Sequence, residues 1–127
     1  MFKWKKSSAD PVDLSLLARK LIHYRQMRSE FFADEAISAG GWDLLLHLYA
    51  APGDSAPITV SSAARSLGLS NGIVISALER ACHFGFAAQG DSPGNWEHIQ
   101  VSLTPAGRAA MEGYLGKFAD NCQPAAA

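Results

Sequence analysis

Residues 57–85, PITVSSAARSLGLSNGIVISALERACHFG, carry the strongest fold signal in this 127-residue chain. A short β-prone run at 58–60 comes first. Ser61 is expected to cap a short helix that ends at Leu67, because a serine hydroxyl can accept a hydrogen bond from a free N–H of the first turn. Gly68 is expected to stop this helix, since glycine readily adopts the left-handed conformation common at helix ends.

A second helix is predicted from Asn71 to Phe84, with Ser70 as its cap and Gly85 as its stop. Its buried face is expected to consist of the apolar residues Val74, Ile75, Leu78 and Ala81. Two short capped helices joined by a tight, glycine-containing turn are typical of a helix-turn-helix.

The residues after this helix pair predict a β-hairpin. Residues 86–89 have strand character, 90–95 are dense in turn formers, and 96–103 alternate polar and apolar side chains as a strand does. One face of that strand is expected to carry Trp96, His98, Gln100 and Ser102, and the other Glu97, Ile99, Val101 and Leu103. A hairpin directly behind a helix-turn-helix is a wing, so the predicted unit is a winged helix-turn-helix.

Long helices are expected on both sides of this unit. Asp10 and Pro11 predict the start of the first, as N-cap and first-position proline, and it is expected to run to about Phe32. Thr104 and Pro105 predict the start of the last helix in the same way. Apolar residues at helical spacing give both helices a face that needs a partner, which is either the domain's own core or a second subunit. These residues are Leu14, Leu17, Leu21, Tyr24, Met111, Tyr114, Leu115 and Phe118.

The predicted organisation is one α+β, mostly helical winged-helix domain over residues 10–119, which includes both terminal helices. A basic flexible N-terminus is expected at 1–9 and a disordered tail at 120–127. Residues 42–50 are apolar nearly all round, which predicts a buried central helix.

Composition and cysteine usage exclude several classes of protein. With 48% hydrophobic residues, the chain can bury a core without metals or cross-links. No apolar run is long enough for a membrane span, so we expect a cytoplasmic protein without a membrane partner. Cys82 and Cys122 fit neither a disulfide framework nor a zinc spacing, so no metal or other cofactor is expected. Cys82 is interpreted as a semi-buried structural thiol, with an oxidation sensor as the alternative.

Charge is distributed unevenly along the chain, although the net charge is only −1. Residues 1–28 carry seven Lys and Arg against two Asp, a balance of +5. Residues 57–103 carry two Arg against three acidic residues, a balance of −1. A basic first helix therefore precedes a nearly neutral helix-turn-helix and wing.

The order of predicted elements resembles the MarR-type winged-helix regulators over roughly residues 10–118. The most specific match is VSLTPAGR at 101–108, which is similar to the family's V-x-L-T-x-x-G-R exit from the wing. Shorter matches are WDLLL at 42–46, VSS at 60–62, LE at 78–79 and GF at 85–86.

This resemblance implies a homodimer whose first and last helices pack together, so that the apolar residues of these helices form the dimer interface. It also implies binding to double-stranded DNA in transcriptional control, with the second helix of the motif in the major groove and the wing on the backbone or minor groove. Asn71 and Ser76 would contact bases, while Ser62 and Arg65 would contact phosphates. The full set of candidate DNA-binding residues is Ser62, Arg65, Ser70, Asn71, Ile73, Ser76, Arg80, Asn95, Trp96 and His98.

The recognition helix and wing diverge from the family's pattern. Related sequences often carry arginine near the position of Ser76, and their wings carry a basic residue where this chain has Glu97. DNA affinity depends on cations that meet phosphates, so a second hypothesis is a winged helix that pairs with another protein through Ile73 and Trp96. No nucleotide-binding loop, nucleophile elbow or catalytic carboxylate pair is found, and we do not expect an enzyme.

Overall fold

The computed structural model describes residues 13–51, 56–90 and 94–122. Within these residues the helices are α1 (Leu14–Arg28), α2 (Asp34–Ile37), α3 (Gly41–Ala50), α4 (Val60–Leu67), α5 (Asn71–His83) and α6 (Pro105–Cys122). Two short strands, β1 (Ala87–Gln89) and β2 (Val101–Leu103), lie between α5 and α6. The fold is therefore the mostly helical α+β winged helix that the sequence predicts.

Helix α4 begins with a different cap from the expected one. Thr59 Oγ1 accepts a hydrogen bond from the Ser62 N–H at 3.1 Å, and Ser62 Oγ accepts one from the Thr59 N–H at 2.9 Å. This reciprocal pair satisfies two N–H groups that the helix leaves open, whereas Ser61 lies inside the first turn. The prediction of Ser61 as the cap is wrong. Gly68, at φ 68°, ends the helix as expected.

Helix α5 follows the sequence prediction closely. Ser70 caps it by accepting a hydrogen bond from the Ile73 N–H at 3.1 Å. Its buried residues are Val74, Ala77, Leu78 and Ala81, which pack towards α3 and α4. The apolar α3 supplies the fully buried Leu44 and Leu45, which confirms a central helix in this part of the chain.

The wing is shorter than expected on its outgoing side. Antiparallel β1 and β2 pair Ala87 with Leu103 and Gln89 with Val101. Residues 96–98 instead form a 3₁₀ turn, in which the Ile99 N–H donates to the Trp96 carbonyl at 3.2 Å. The prediction of one strand over 96–103 is therefore wrong at its first half.

The β-prone run before α4 holds the wing in place. The Ile58 carbonyl accepts a hydrogen bond from the Val101 N–H at 2.8 Å, and the Val60 N–H donates to the Ile99 carbonyl at 3.1 Å. An isolated bridge pairs Thr59 with Gln100. The wing and the start of α4 therefore form one hydrogen-bonded unit.

The first helix is shorter than predicted. Its N-cap is Asp13, which accepts a hydrogen bond from the Leu16 N–H at 3.2 Å, and not Asp10, which lies outside the described residues. The helix ends at Arg28 and not near Phe32, because tighter turns follow it and direct Phe32 into the core.

The last helix begins as predicted and runs further than predicted. Thr104 Oγ1 accepts a hydrogen bond from the Gly107 N–H at 3.0 Å, and Pro105 is the first helical residue. The helix continues to Cys122, so residues 120–122 are helical and not part of a disordered tail. The expectations for 1–9 and 123–127 fall outside the described residues.

An aromatic cluster joins the terminal helices to the winged unit. The ring of Phe32 lies 5.5 Å from that of Trp42 and 4.9 Å from that of Phe86, and the Trp42 ring lies 5.0 Å from that of Tyr114. Rings at these separations and steep angles pack favourably. This cluster fixes where α1 and α6 leave the helix-turn-helix.

Candidate nucleic-acid interface

One side of α5 is turned away from the core. We call Asn71, Gly72, Ile73, Ser76 and Glu79 the outward face of α5; all five are exposed, and they lie around the helix from its buried residues. Its polar groups can donate and accept hydrogen bonds, but the face carries no cation. It can therefore read hydrogen-bonding edges, but it adds no positive charge.

Ile73 is an exposed apolar residue held in place from one side. Its side chain is 42% exposed in the first turn of α5. Gly40, at φ 87° before α3, leaves the space that it needs, because a Cβ there would lie 2.8 Å from Ile73 Cγ2. The side chain is therefore supported by the turn between α2 and α3 while much of its surface remains open.

Arg80 does not belong to this open surface. Its Nη2 donates to the Ser38 carbonyl at 3.3 Å and to the Ala39 carbonyl at 3.4 Å, and its Nε is buried. These bonds tie α5 to the turn before α3. Arg80, a candidate DNA-binding residue in the sequence, therefore holds α5 to this turn instead.

Two of the expected contact serines take part in helix capping. Ser62 Oγ accepts from the Thr59 N–H and donates to the Thr59 carbonyl at 3.1 Å, so the hydroxyl that the sequence assigns to a phosphate is engaged within the chain. Ser70 is exposed, and its hydroxyl caps α5. Of these two, only Ser70 lies on the open surface.

Arg65 is the cation that remains at the helix-turn-helix. It is exposed in α4, and within the described residues its guanidinium makes no hydrogen bond or ion pair. The sequence prediction of Arg65 as a phosphate contact is therefore compatible with its position.

The turn of the wing before β2 presents an aromatic residue beside an acid. Asn95, Trp96, Glu97 and His98 are all exposed, and Trp96 is 43% exposed. The turn that carries them packs against α4, and the His98 N–H donates to the Asn95 carbonyl at 3.0 Å. Trp96 lies in this turn and not in a paired strand, so its exposed ring is available for contacts outside the chain.

The candidate dimer residues divide into two groups. Leu14, Leu17 and Leu21 are exposed on the first part of α1, at 71%, 41% and 60%. Met111 is fully buried in the chain's own core, so the expectation that it contacts a second subunit is wrong. Tyr24 and Tyr114 are also buried in that core, so the expectation is wrong for them as well, while Leu115 and Phe118 are half-buried. The exposed Leu16 and Ile22 widen the apolar surface of α1.

Arg28, the last residue of α1, lines two grooves. One groove, of about 260 Å³, is lined by Leu21, Tyr24 and Phe118, and the other, of about 380 Å³, by Asp34 and its neighbours. The Arg28 guanidinium carbon lies 4.9 Å from the Trp42 ring centre, a cation–π contact. Arg28 thereby links α1 to α3.

Cys82 is half-buried near the end of α5. Burial raises the pKa of the Cys82 thiol, which disfavours the reactive thiolate. Among the described residues, no group of three His, Cys, Asp or Glu side chains could hold a metal ion. No helix in these residues is long and apolar enough to cross a membrane.

No family model and no curated protein matches this sequence. The chain is similar to the solved complex of S. aureus MepR with DNA, at 16% identity and a TM-score of 0.67, over 87% of this chain and 85% of that chain. It is similar to the heme sensor PefR from Streptococcus agalactiae in complex with heme, at 19% identity and a TM-score of 0.59, over 90% and 78%. A third likeness is to a cysteine-to-serine mutant of MarR from E. coli, at 19% identity and a TM-score of 0.57, over 88% and 80%. This chain therefore has the MarR-type winged-helix fold.

Proposed function

We propose that this protein is a DNA-binding transcription regulator that acts as a homodimer in the cytoplasm. The observation that supports the proposal most strongly is the exposed outward face of α5, which stands beside a wing in a fold shared with MepR, a protein solved on DNA. A major groove admits an α-helix, and its base edges offer donors and acceptors to polar side chains.

In this proposal, the first turn of α5 enters the major groove. Asn71 and Ser76 read base edges, and the exposed Arg65 meets a phosphate. Trp96 and His98, in the turn of the wing before β2, lie against the sugar–phosphate backbone. Because the outward face carries no cation, the basic first helix supplies much of the electrostatic attraction through Arg19, Lys20 and Arg25, which are all exposed.

The exposed apolar surface of α1 supports the homodimer. Exposed leucines and isoleucine on one helix are costly in water, and burial of this surface against a second copy removes that cost. A two-fold dimer would present two α5 helices to successive turns of one duplex.

A salt titration of binding to random-sequence duplex DNA tests the proposal. The logarithm of the binding constant is expected to fall linearly with the logarithm of salt concentration, because each phosphate contact releases counterions. Arg65→Ala is expected to make the slope shallower by about 1, the value for one phosphate that the guanidinium no longer neutralises. Arg80→Ala is the matched control and is expected to keep the slope, because that guanidinium is bound to backbone carbonyls. Absence of binding even at low salt would refute the proposal.

A second candidate function is a protein-interaction module without DNA binding. It is favoured by the acidic residues Glu79 and Glu97, which stand where a DNA-binding surface would carry basic residues. The exposed side chains of Ile73 and Trp96 also favour it. Apolar contacts depend little on ionic strength at moderate salt, so this function predicts no gain in duplex binding as salt is lowered. The same titration therefore separates the two functions.

A further inference from the structure

The outward face of α5 has no side chain suited to guanine. Guanine is most often read by Arg or Lys, which donate two hydrogen bonds to O6 and N7. Arg80 is the arginine of α5, and its guanidinium is bound to the carbonyls of Ser38 and Ala39. The groups that remain in the first turn are the carboxamide of Asn71 and the aliphatic side chain of Ile73, one on each side of Gly72.

Ile73 is suited to a different group in the groove. The thymine C5 methyl is the apolar group that a base pair presents in the major groove. Ile73 is 42% exposed, and its Cγ2 lies against Gly40, so little side-chain freedom remains to be lost on contact. On the other side of Gly72, a carboxamide such as that of Asn71 pairs best with adenine N6 and N7.

We propose that Ile73 is a specificity-determining residue that contacts a thymine C5 methyl group, so that each half-site carries an A·T pair under the first turn of α5. This inference rests on the proposed DNA-binding function. It adds a base preference that a phosphate-dominated interface would not have, since phosphate contacts carry no sequence information.

The test uses the full-length protein and duplexes that it selects from a random pool at low salt. Each thymine of a selected duplex is replaced in turn by deoxyuridine, which lacks only the C5 methyl group. At one thymine per half-site, this change is expected to weaken binding about fourfold, the factor for the lost burial of one methyl group. With Ile73→Ala, duplexes that carry thymidine or deoxyuridine at that position are expected to bind equally.

Ser76→Ala is the matched control on the same face. It is expected to weaken binding while it keeps the preference for thymidine over deoxyuridine. The inference is overturned, while the proposed function stands, in either of two cases. The first is that selected duplexes bind with an affinity that no change of thymidine to deoxyuridine alters, and the second is that Ile73→Ala retains the preference for thymidine. If no duplex binds at low salt, the proposed function fails and the inference fails with it. Circular dichroism of both variants confirms that each is folded.

Discussion

Gly72 and Gly107 are helical glycines in opposite surroundings. A Cβ at Gly72 would meet no atom within 4 Å, so Gly72→Ala is expected to stabilise the fold by up to about 1 kcal/mol through helix propensity. A Cβ at Gly107 would overlap the Phe86 carbonyl, and Gly107→Ala is expected to destabilise by about 1–3 kcal/mol. Urea unfolding measures both changes. Equal effects of the two substitutions would contradict this description of the packing.

Cys82 is expected to react slowly with alkylating reagents. Burial raises the pKa of its thiol, so less thiolate is present at neutral pH than for an ordinary cysteine, and the rate should still be rising with pH above the usual thiol pKa. The measurement is iodoacetamide labelling followed by mass spectrometry, in a Cys122→Ser background so that one thiol is present. A fast reaction at pH 7 would favour the oxidation-sensor hypothesis instead.

Ser62 and Arg80 show what sequence reasoning could not reach at single residues. The sequence predicts their place on a helix, but a side chain's partner depends on the tertiary structure. Arg80 is bound to a carbonyl 42 residues earlier in the chain, and no local pattern indicates that contact. By contrast, the exposure of Asn71 and Ser76 follows from helical periodicity, so the sequence alone places them on the outward face.

At the scale of elements, the cap of α4 gives a direct test. Thr59→Ala removes an acceptor for the Ser62 N–H and is expected to cost about 1 kcal/mol. Ser61→Ala, two residues later, is expected to change the free energy of unfolding little, because Ser61 lies inside the helix. The two variants are compared by urea unfolding. A larger loss for Ser61→Ala would reinstate Ser61 as the cap.

The elements that the sequence predicts well have strong local stop and start signals. Ser70 and Gly85 mark the start and end of α5, and Thr104 and Pro105 mark the start of α6. Both helices begin where the sequence places them. The outgoing strand is shorter than its alternating polarity over 96–103 indicates, because the turn at 96–98 is closed by its own hydrogen bonds and packs against α4. That packing is not local in sequence.

At the scale of the whole molecule, the surface of α1 decides the oligomeric state. Leu21→Asp places a charge on a residue that is exposed in the single chain, so a folded monomer is expected in place of a dimer. Ser66→Asp, at an exposed position on α4 and not on α1, is the control and should remain dimeric. Light scattering gives the mass and circular dichroism the helix content. An unchanged dimer mass for Leu21→Asp would show that α1 is not the interface.

Native mass spectrometry of the protein mixed with a selected duplex at low ionic strength tests the central claim most directly, because it reports DNA binding and assembly together. The expected result is a complex of two chains per duplex, which Leu21→Asp reduces to weakly bound single chains. Free protein and free duplex, with no complex at any ratio, would contradict a DNA-binding homodimer.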